Sequence, residues 1–239
     1  MELQALFPLA LARVQLRLDP WDLVLLMQEV LALRGDAVGN PNPGCAWTGD
    51  INGIWQLHRL EAFAAISAEV QRQAWLYLEQ LGFRAGSVAL HVQRSWPVVS
   101  DEGQVVGRHH HPNAHLSAIL YLNGDGSGRS GCLRLFPDRQ VNELVPGLAV
   151  GHGGPLVVQT PAAQQWNAPW LDVAPQAGLL VLFPARTDHA VTANNDPDDL
   201  RLSLAFDLAL SAPLAGDGDP APPEYLAPHP AQWSPAAAP

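Results

Sequence analysis

The residues best equipped for chemistry lie in one stretch, Arg108-His109-His110-His111-Pro112-Asn113-Ala114-His115, directly ahead of the apolar run Leu116-Ser117-Ala118-Ile119-Leu120-Tyr121-Leu122. A strand sends successive side chains to opposite faces, so His109 and His111 share a face and His110 looks away. Two imidazoles on one side of a strand mouth can hold a divalent transition metal. A facial site needs a third ligand from elsewhere, and His189, in Thr187-Asp188-His189-Ala190-Val191, is the candidate. Asp188 belongs on the opposite face and is not expected to ligate. Further on, Arg201-Leu202-Ser203 reads as a strand with Arg201 and Ser203 on one face, an anion-binding pair close behind the metal site.

Those residues need a frame. Residues 3–18 alternate loosely and suggest a first strand. Asp19-Pro20-Trp21 is a helix start, since Asp caps and Pro suits the first turn. From Trp21 to Leu33 apolar residues surround most of the helix, which predicts a well-buried one. The span Arg59 to Leu81 repeats Phe63, Ile66, Val70, Trp75 and Leu78 at helical period and stops at Gly82. Ser87 to Trp96 alternates as a strand, with Val98 to Gly107 expected as a loop. Beyond the histidines, Leu116–Leu122, Cys132–Phe136, Leu156–Gln159, Gly178–Phe183 and Leu200–Leu208 are short apolar segments separated by turn formers, the cadence of a sandwich or barrel. Gly124 to Gly131 is expected as a hairpin turn. The Pro- and Gly-rich stretch Asp138 to Gln176, with Trp166 and Trp170, is expected as a long excursion of the kind that forms lids.

Composition limits what the chain can be. Its 239 residues suffice for one large core, and 48% hydrophobic against 15% charged residues predicts a globular protein. Net charge is −10 and no basic stripe exists, which argues against nucleic acid as a partner. Cys45 and Cys132 have no C-x-x-C spacing and the amino terminus has no basic n-region, so a reducing cytoplasm is the expected compartment. No apolar run approaches a membrane span. Residues 1–212 are read as a single domain, with helices within 19–82 and a β core over 87–210. A Pro/Ala-rich, weakly ordered tail is expected over 213–239.

Together these motifs resemble the 2-oxoglutarate- and Fe(II)-dependent oxygenase superfamily, on its bacterial His-x-His-Pro branch. The resemblance rests on His109-His110-His111-Pro112, Tyr121-Leu122-Asn123, Gly131-Cys132-Leu133-Arg134-Leu135-Phe136, the span Pro175 to Pro184, His189-Ala190-Val191 and Arg201-Leu202-Ser203. It implies a mainly β fold with flanking helices, a double-stranded β-helix or jelly roll. It also implies Fe(II) and 2-oxoglutarate as cofactors, with metal on His109, His111 and His189. The cofactor's far carboxylate would lie on Arg201, Ser203 and Tyr121, the last placed like the tyrosine of prolyl hydroxylases. The implied reaction is hydroxylation of a substrate C–H bond with release of succinate and CO2. One departure stands out: most of the superfamily has Asp or Glu where this chain has His111, which leaves the metal about one charge more positive.

Other readings of the same residues are a cupin-like three-histidine metalloprotein that does not use 2-oxoglutarate, and a non-catalytic jelly-roll binding module. Arg201 and Ser203 argue against the first, the intact triad against the second. His110 and His115 are read as polar residues at a strand mouth, and His58, His91, His152 and His229 as structural or surface residues. Arg134 and Arg186 are read as solvated. A small molecule is preferred over a protein as substrate, and a homodimer is a possible assembly.

Overall fold

The computed structural model describes residues 2, 8–35, 42–138 and 168–236. The helix α1 (Pro20–Arg34) starts where Asp19 accepts a hydrogen bond from the Trp21 amide at 2.8 Å, with Pro20 in the first turn. The helix α2 (Glu61–Gln80) ends in a reciprocal pair of bonds: the Phe83 amide donates to the Leu78 carbonyl at 3.1 Å and the Gly82 amide to Glu79 at 3.0 Å. Gly82 takes φ +95 there, the left-handed conformation that such a stop requires.

The strands form two antiparallel sheets. With β1 Ala12–Gln15, β2 Trp47–Thr48, β3 Ala89–Ser100, β5 Leu116–Tyr121, β8 Leu179–Pro184 and β10 Arg201–Ser211, the larger sheet has the order β1-β8-β5-β10-β3-β2. With β4 Val106–His109, β6 Leu133–Leu135, β7 Leu171–Val173 and β9 His189–Val191, the smaller has the order β4-β9-β6-β7. This is the jelly roll with helices on one sheet. A strand of period two serves both sides of the larger sheet. On β10, Leu202, Leu204, Phe206 and Leu208 are buried in a core with Val30, Phe63, Ile66, Val70 and Leu78 of the helices. The alternate residues Arg201, Ser203, Ala205 and Asp207 line a cavity facing the smaller sheet. A second core of Tyr121, Leu133, Leu135, Val173, Val181 and Phe183 closes the space between the sheets.

Several expectations need correction. In α1 only Leu26 and Val30 are buried, while Trp21 is 76% and Leu25 58% exposed: a helix lying on one layer buries a single stripe, however apolar its other faces are. The span 98–107 is not one loop, because β3 continues to Ser100 in register with Arg201 of β10, and β4 begins at Val106. The glycines of 124–131 do not close a hairpin. They carry the chain from β5 in the larger sheet to β6 in the smaller one. The excursion to Gln176 contains a strand, β7, paired to β6. The candidate strand at Leu156–Gln159, His152 and Trp166 lie outside the described residues. The Pro/Ala-rich terminal segment, expected to be weakly ordered, lies back on the body: the Ala212 amide donates to the Ala227 carbonyl at 2.7 Å, and the His229 ring meets His91 edge-on at 4.9 Å. Among the described residues, no helix is long and apolar enough to cross a membrane.

Candidate active site

Pairing of β4 with β9 sets His109 opposite His189, and the chain beyond β4 turns His111 to the same point. One ligand-capable atom from each of the three lies within 4.8 Å of the others. The rings sit close, with centroids 4.3 Å apart for His109 and His189 and 5.1 Å for each pair involving His111.

What each imidazole does with its other nitrogen decides its chemistry. His109 Nδ1 lies 2.7 Å from the Gly107 carbonyl oxygen and His189 Nδ1 lies 2.8 Å from that of Thr187. A carbonyl only accepts, so both Nδ1 atoms carry the proton and each Nε2 keeps its lone pair for a metal. His111 Nδ1 is hydrogen-bonded to a carboxylate oxygen of Asp207. Burial pulls the His189 pKa down to about 3, helped by the neighbouring His109, and burial also lowers that of His109. The neutral, ligating form therefore predominates at neutral pH. Phe183 meets the His189 ring edge-on, and Trp96 stacks on His111 at 5.6 Å.

The cavity, of about 500 Å³, runs from this triad to Arg201. Its floor is the larger sheet, in cross-strand rows: Val98, Ser203 and Tyr121, then Trp96, Ala205 and Ile119, then Arg94, Asp207 and Ser117. Arg201 is 2% exposed. Its Nη1 donates to the Ser130 carbonyl at 2.9 Å and the Thr192 carbonyl at 3.3 Å, whereas its Nη2 is buried with no partner among the described residues. An unsatisfied buried donor costs about 1–3 kcal/mol, and more when charged, so an acceptor is the expected occupant beside it. Burial lowers the Arg201 pKa and raises that of Tyr121, whose hydroxyl stays protonated. Gly131 makes this cradle possible. It has φ +89, and a Cβ there would collide with Arg201 Nη1 and the Thr192 carbonyl oxygen.

Each residue singled out in the sequence has a place. His109, His111 and His189 come together, and Arg201, Ser203 and Tyr121 line the same cavity. His110 faces away to Asp188, 3.0 Å distant, and Asp188 also pairs with Arg108 at 2.7 Å. His115 Nδ1 accepts from the Leu210 amide at 3.1 Å. Arg134 forms a bidentate pair with Asp172 and Arg186 pairs with Asp138, both away from the cavity lining. His58 bonds Ser95 and His91 bonds Ser211, each at 2.7 Å. Sequence reasoning gave no site role to Asp207, Trp96, Gly131 or the ion pair of Arg94 with Asp50 at 2.9 Å on the cavity wall. Asp207 had a signal: an acid sharing the alternating face of Arg201 and Ser203.

The donor set suits a divalent transition metal, and the bare Nη2 of a buried arginine suits a carboxylate in the same cavity. Residues 94–207, which contain all of these groups, match the family model described as "Putative 2OG-Fe(II) oxygenase". That span resembles the core of a 2OG-Fe(II) oxygenase. No curated protein matches the sequence. Among solved structures, the non-heme alpha ketoglutarate dependent epimerase SnoN from nogalamycin biosynthesis is similar at TM-score 0.55 and 18% identity, over 92% of this chain and 90% of that one. A prolyl-4-hydroxylase from Pseudomonas putida is similar at TM-score 0.51 and 20% identity, over 84% of this chain and 93% of that one. HygX from Streptomyces hygroscopicus, with nickel and 2-oxoglutarate bound, is similar at TM-score 0.53 and 11% identity, over 84% and 82% respectively. At these identities the likeness is one of fold. The oxygenase family itself uses Fe(II) and 2-oxoglutarate, and the triad fits the iron.

Proposed function

We propose that this oxygenase hydroxylates a small molecule, with metal held by His109, His111 and His189 and the far carboxylate of 2-oxoglutarate held by Arg201, Ser203 and Tyr121. The observation that carries the assignment is the buried Nη2 of Arg201, without a partner among the described residues, in the cavity that also holds the triad. Together the bound metal and cofactor supply the oxidising power to insert one oxygen atom of dioxygen into a C–H bond, the cofactor ending as succinate and CO2. The chain's own work is positional. Arg201 offers Nη2 to one carboxylate oxygen, and the neighbouring Ser203 and Tyr121 hydroxyls can donate to the other. Gly107, Thr187 and Asp207 hold the three imidazoles in the tautomer that points Nε2 at the metal. Phe183, Ile119 and Val191 keep the interior apolar and exclude water. A cavity of about 500 Å³ lies in the range of small-molecule sites, which supports a compact substrate over a folded protein.

Anaerobic titration with Fe(II) and 2-oxoglutarate tests this reading through the visible charge-transfer band of the chelate. The wild-type protein is expected to develop the band and Arg201→Ala to lose it while still taking up metal. Metal uptake without a band in the wild type would instead favour a three-histidine metalloprotein that does not use 2-oxoglutarate.

A further inference from the structure

A site of three neutral histidines leaves one question of charge open, and Asp207 answers it. Asp207 is 3% exposed on the inward face of β10, and its carboxylate is hydrogen-bonded to His111 Nδ1. Its neighbours across the sheet are Arg94 on β3 and Ser117 on β5. The Arg94 guanidinium is engaged by Asp50, and Ser117 Oγ is buried without a partner among the described residues. Among the described residues, the hydrogen-bonding partner of Asp207 is therefore the metal-facing histidine. A carboxylate in that place makes the Nε2 of His111 a stronger donor and fixes the ring's orientation. The other two ligands lean on neutral carbonyls, at Gly107 and Thr187.

We propose that Asp207 is the positioning residue of the metal centre: it orients His111 and supplies, one bond behind the ligand, the negative charge that a three-histidine site lacks. The proposal rests on the triad binding a divalent metal, as in the reading above. The charges in the cavity then close. Two positive charges on the metal and one on Arg201 meet two negative charges on the dicarboxylate and one on Asp207. A buried cavity penalises any surplus, and Asp207 is the anion close enough to cancel it. Asp50 is already matched by Arg94, and Asp188 by Arg108.

The test uses the full chain with Co(II) in place of Fe(II), read by competition titration and by its visible ligand-field spectrum. Asp207→Asn keeps the shape and an acceptor oxygen and removes the charge. It is expected to weaken Co(II) binding about 10–100-fold and to shift the spectrum, as loss of an outer-shell carboxylate does. The metal-free melting temperature is expected to stay near that of the wild type. Moving the charge gives the second arm. His111→Asp alone places two carboxylates in one corner and is expected to lose Co(II) affinity. In the Asp207→Asn background, the same change creates a two-histidine, one-carboxylate set and is expected to recover most of the affinity. Asp207→Asn binding Co(II) with wild-type affinity and spectrum would overturn the proposal. So would His111→Asp having the same effect in both backgrounds. A wild-type protein that takes up no Co(II) would overturn both this proposal and the oxygenase reading. Co(II) binding that depends on Asp207 but is followed by no 2-oxoglutarate band with Fe(II) would support the proposal and overturn the oxygenase reading alone.

Discussion

The two ends of the cavity are built on opposite electrostatic plans. At the metal end every remote nitrogen is satisfied: Gly107, Thr187 and Asp207 each accept a hydrogen bond from one Nδ1, and what faces inward is three lone pairs. At the arginine end a permanent cation is buried to 2% exposure, with one terminal nitrogen on carbonyls and the other without a partner among the described residues. The metal end is complete without its ligand. The arginine end holds a desolvated charge with a donor aimed at an acceptor, and an anion suits it best. Damage should therefore propagate one way. Losing the metal end removes the chelate entirely, whereas losing the arginine end spares the metal.

The largest effect tests that direction. His189→Ala removes one of three ligands, and metal affinity should fall by more than the roughly 100-fold upper range for an outer-shell partner. Equilibrium dialysis with Co(II) measures it, and undiminished binding would break the comparison. Gly131→Ala comes next. The new Cβ would displace the Arg201 guanidinium, so 2-oxoglutarate affinity should fall about 10–100-fold, equivalent to losing a charge-assisted hydrogen bond of about 1.5–3 kcal/mol. Metal affinity should not change, and a parallel loss of both would show the two ends to be one cooperative unit. Tyr121→Phe removes one neutral hydrogen bond, worth about 0.5–1.5 kcal/mol, and should weaken 2-oxoglutarate about 2–10-fold by calorimetry.

Stability against pH sharpens the contrast in the metal-free protein. The folded-state pKa of His189 is depressed to about 3 from an ordinary 6.5, so the unfolded chain binds the extra proton first. Its contribution to stability is fully present above pH 6.5 and is lost as pH falls towards 3. Thermal melts should show this decline, and His189→Gln should flatten it. Arg201 stays charged throughout and should add no slope in that range. The smallest effect is expected outside the cavity. Asp188→Asn disturbs a solvent-screened pair with Arg108 and should leave the melting temperature near that of the wild type, with metal affinity unchanged.

How much of this was legible depended on the range over which each feature is decided. Pairing two histidines across one residue is local: an extended chain puts His109 and His111 on one side, and although β4 ends at His109 the residues just beyond it keep that side. The same period put Arg201 and Ser203 together. Helix ends were equally local: Asp19 with Pro20 opens α1, and Gly82 closes α2. Burial of α1 was misread because an apolar helix does not carry the address of what covers it, and Leu25 and Trp21 face outward. The glycines of 124–131 looked like a hairpin because turn residues announce a reversal without naming the sheet that receives it.

By itself the sequence determined the cadence of short strands, the shared side of His109 and His111 and the face that carries Arg201, since each follows from residue type and short-range periodicity. Only the tertiary structure decided that Asp207 stands behind His111, 96 positions away, that Gly131 clears room for Arg201, and that one guanidinium nitrogen has no partner among the described residues. Those facts depend on register between strands and on which sheet each strand joins. Two atoms distant in sequence meet only when the whole cavity has closed around them.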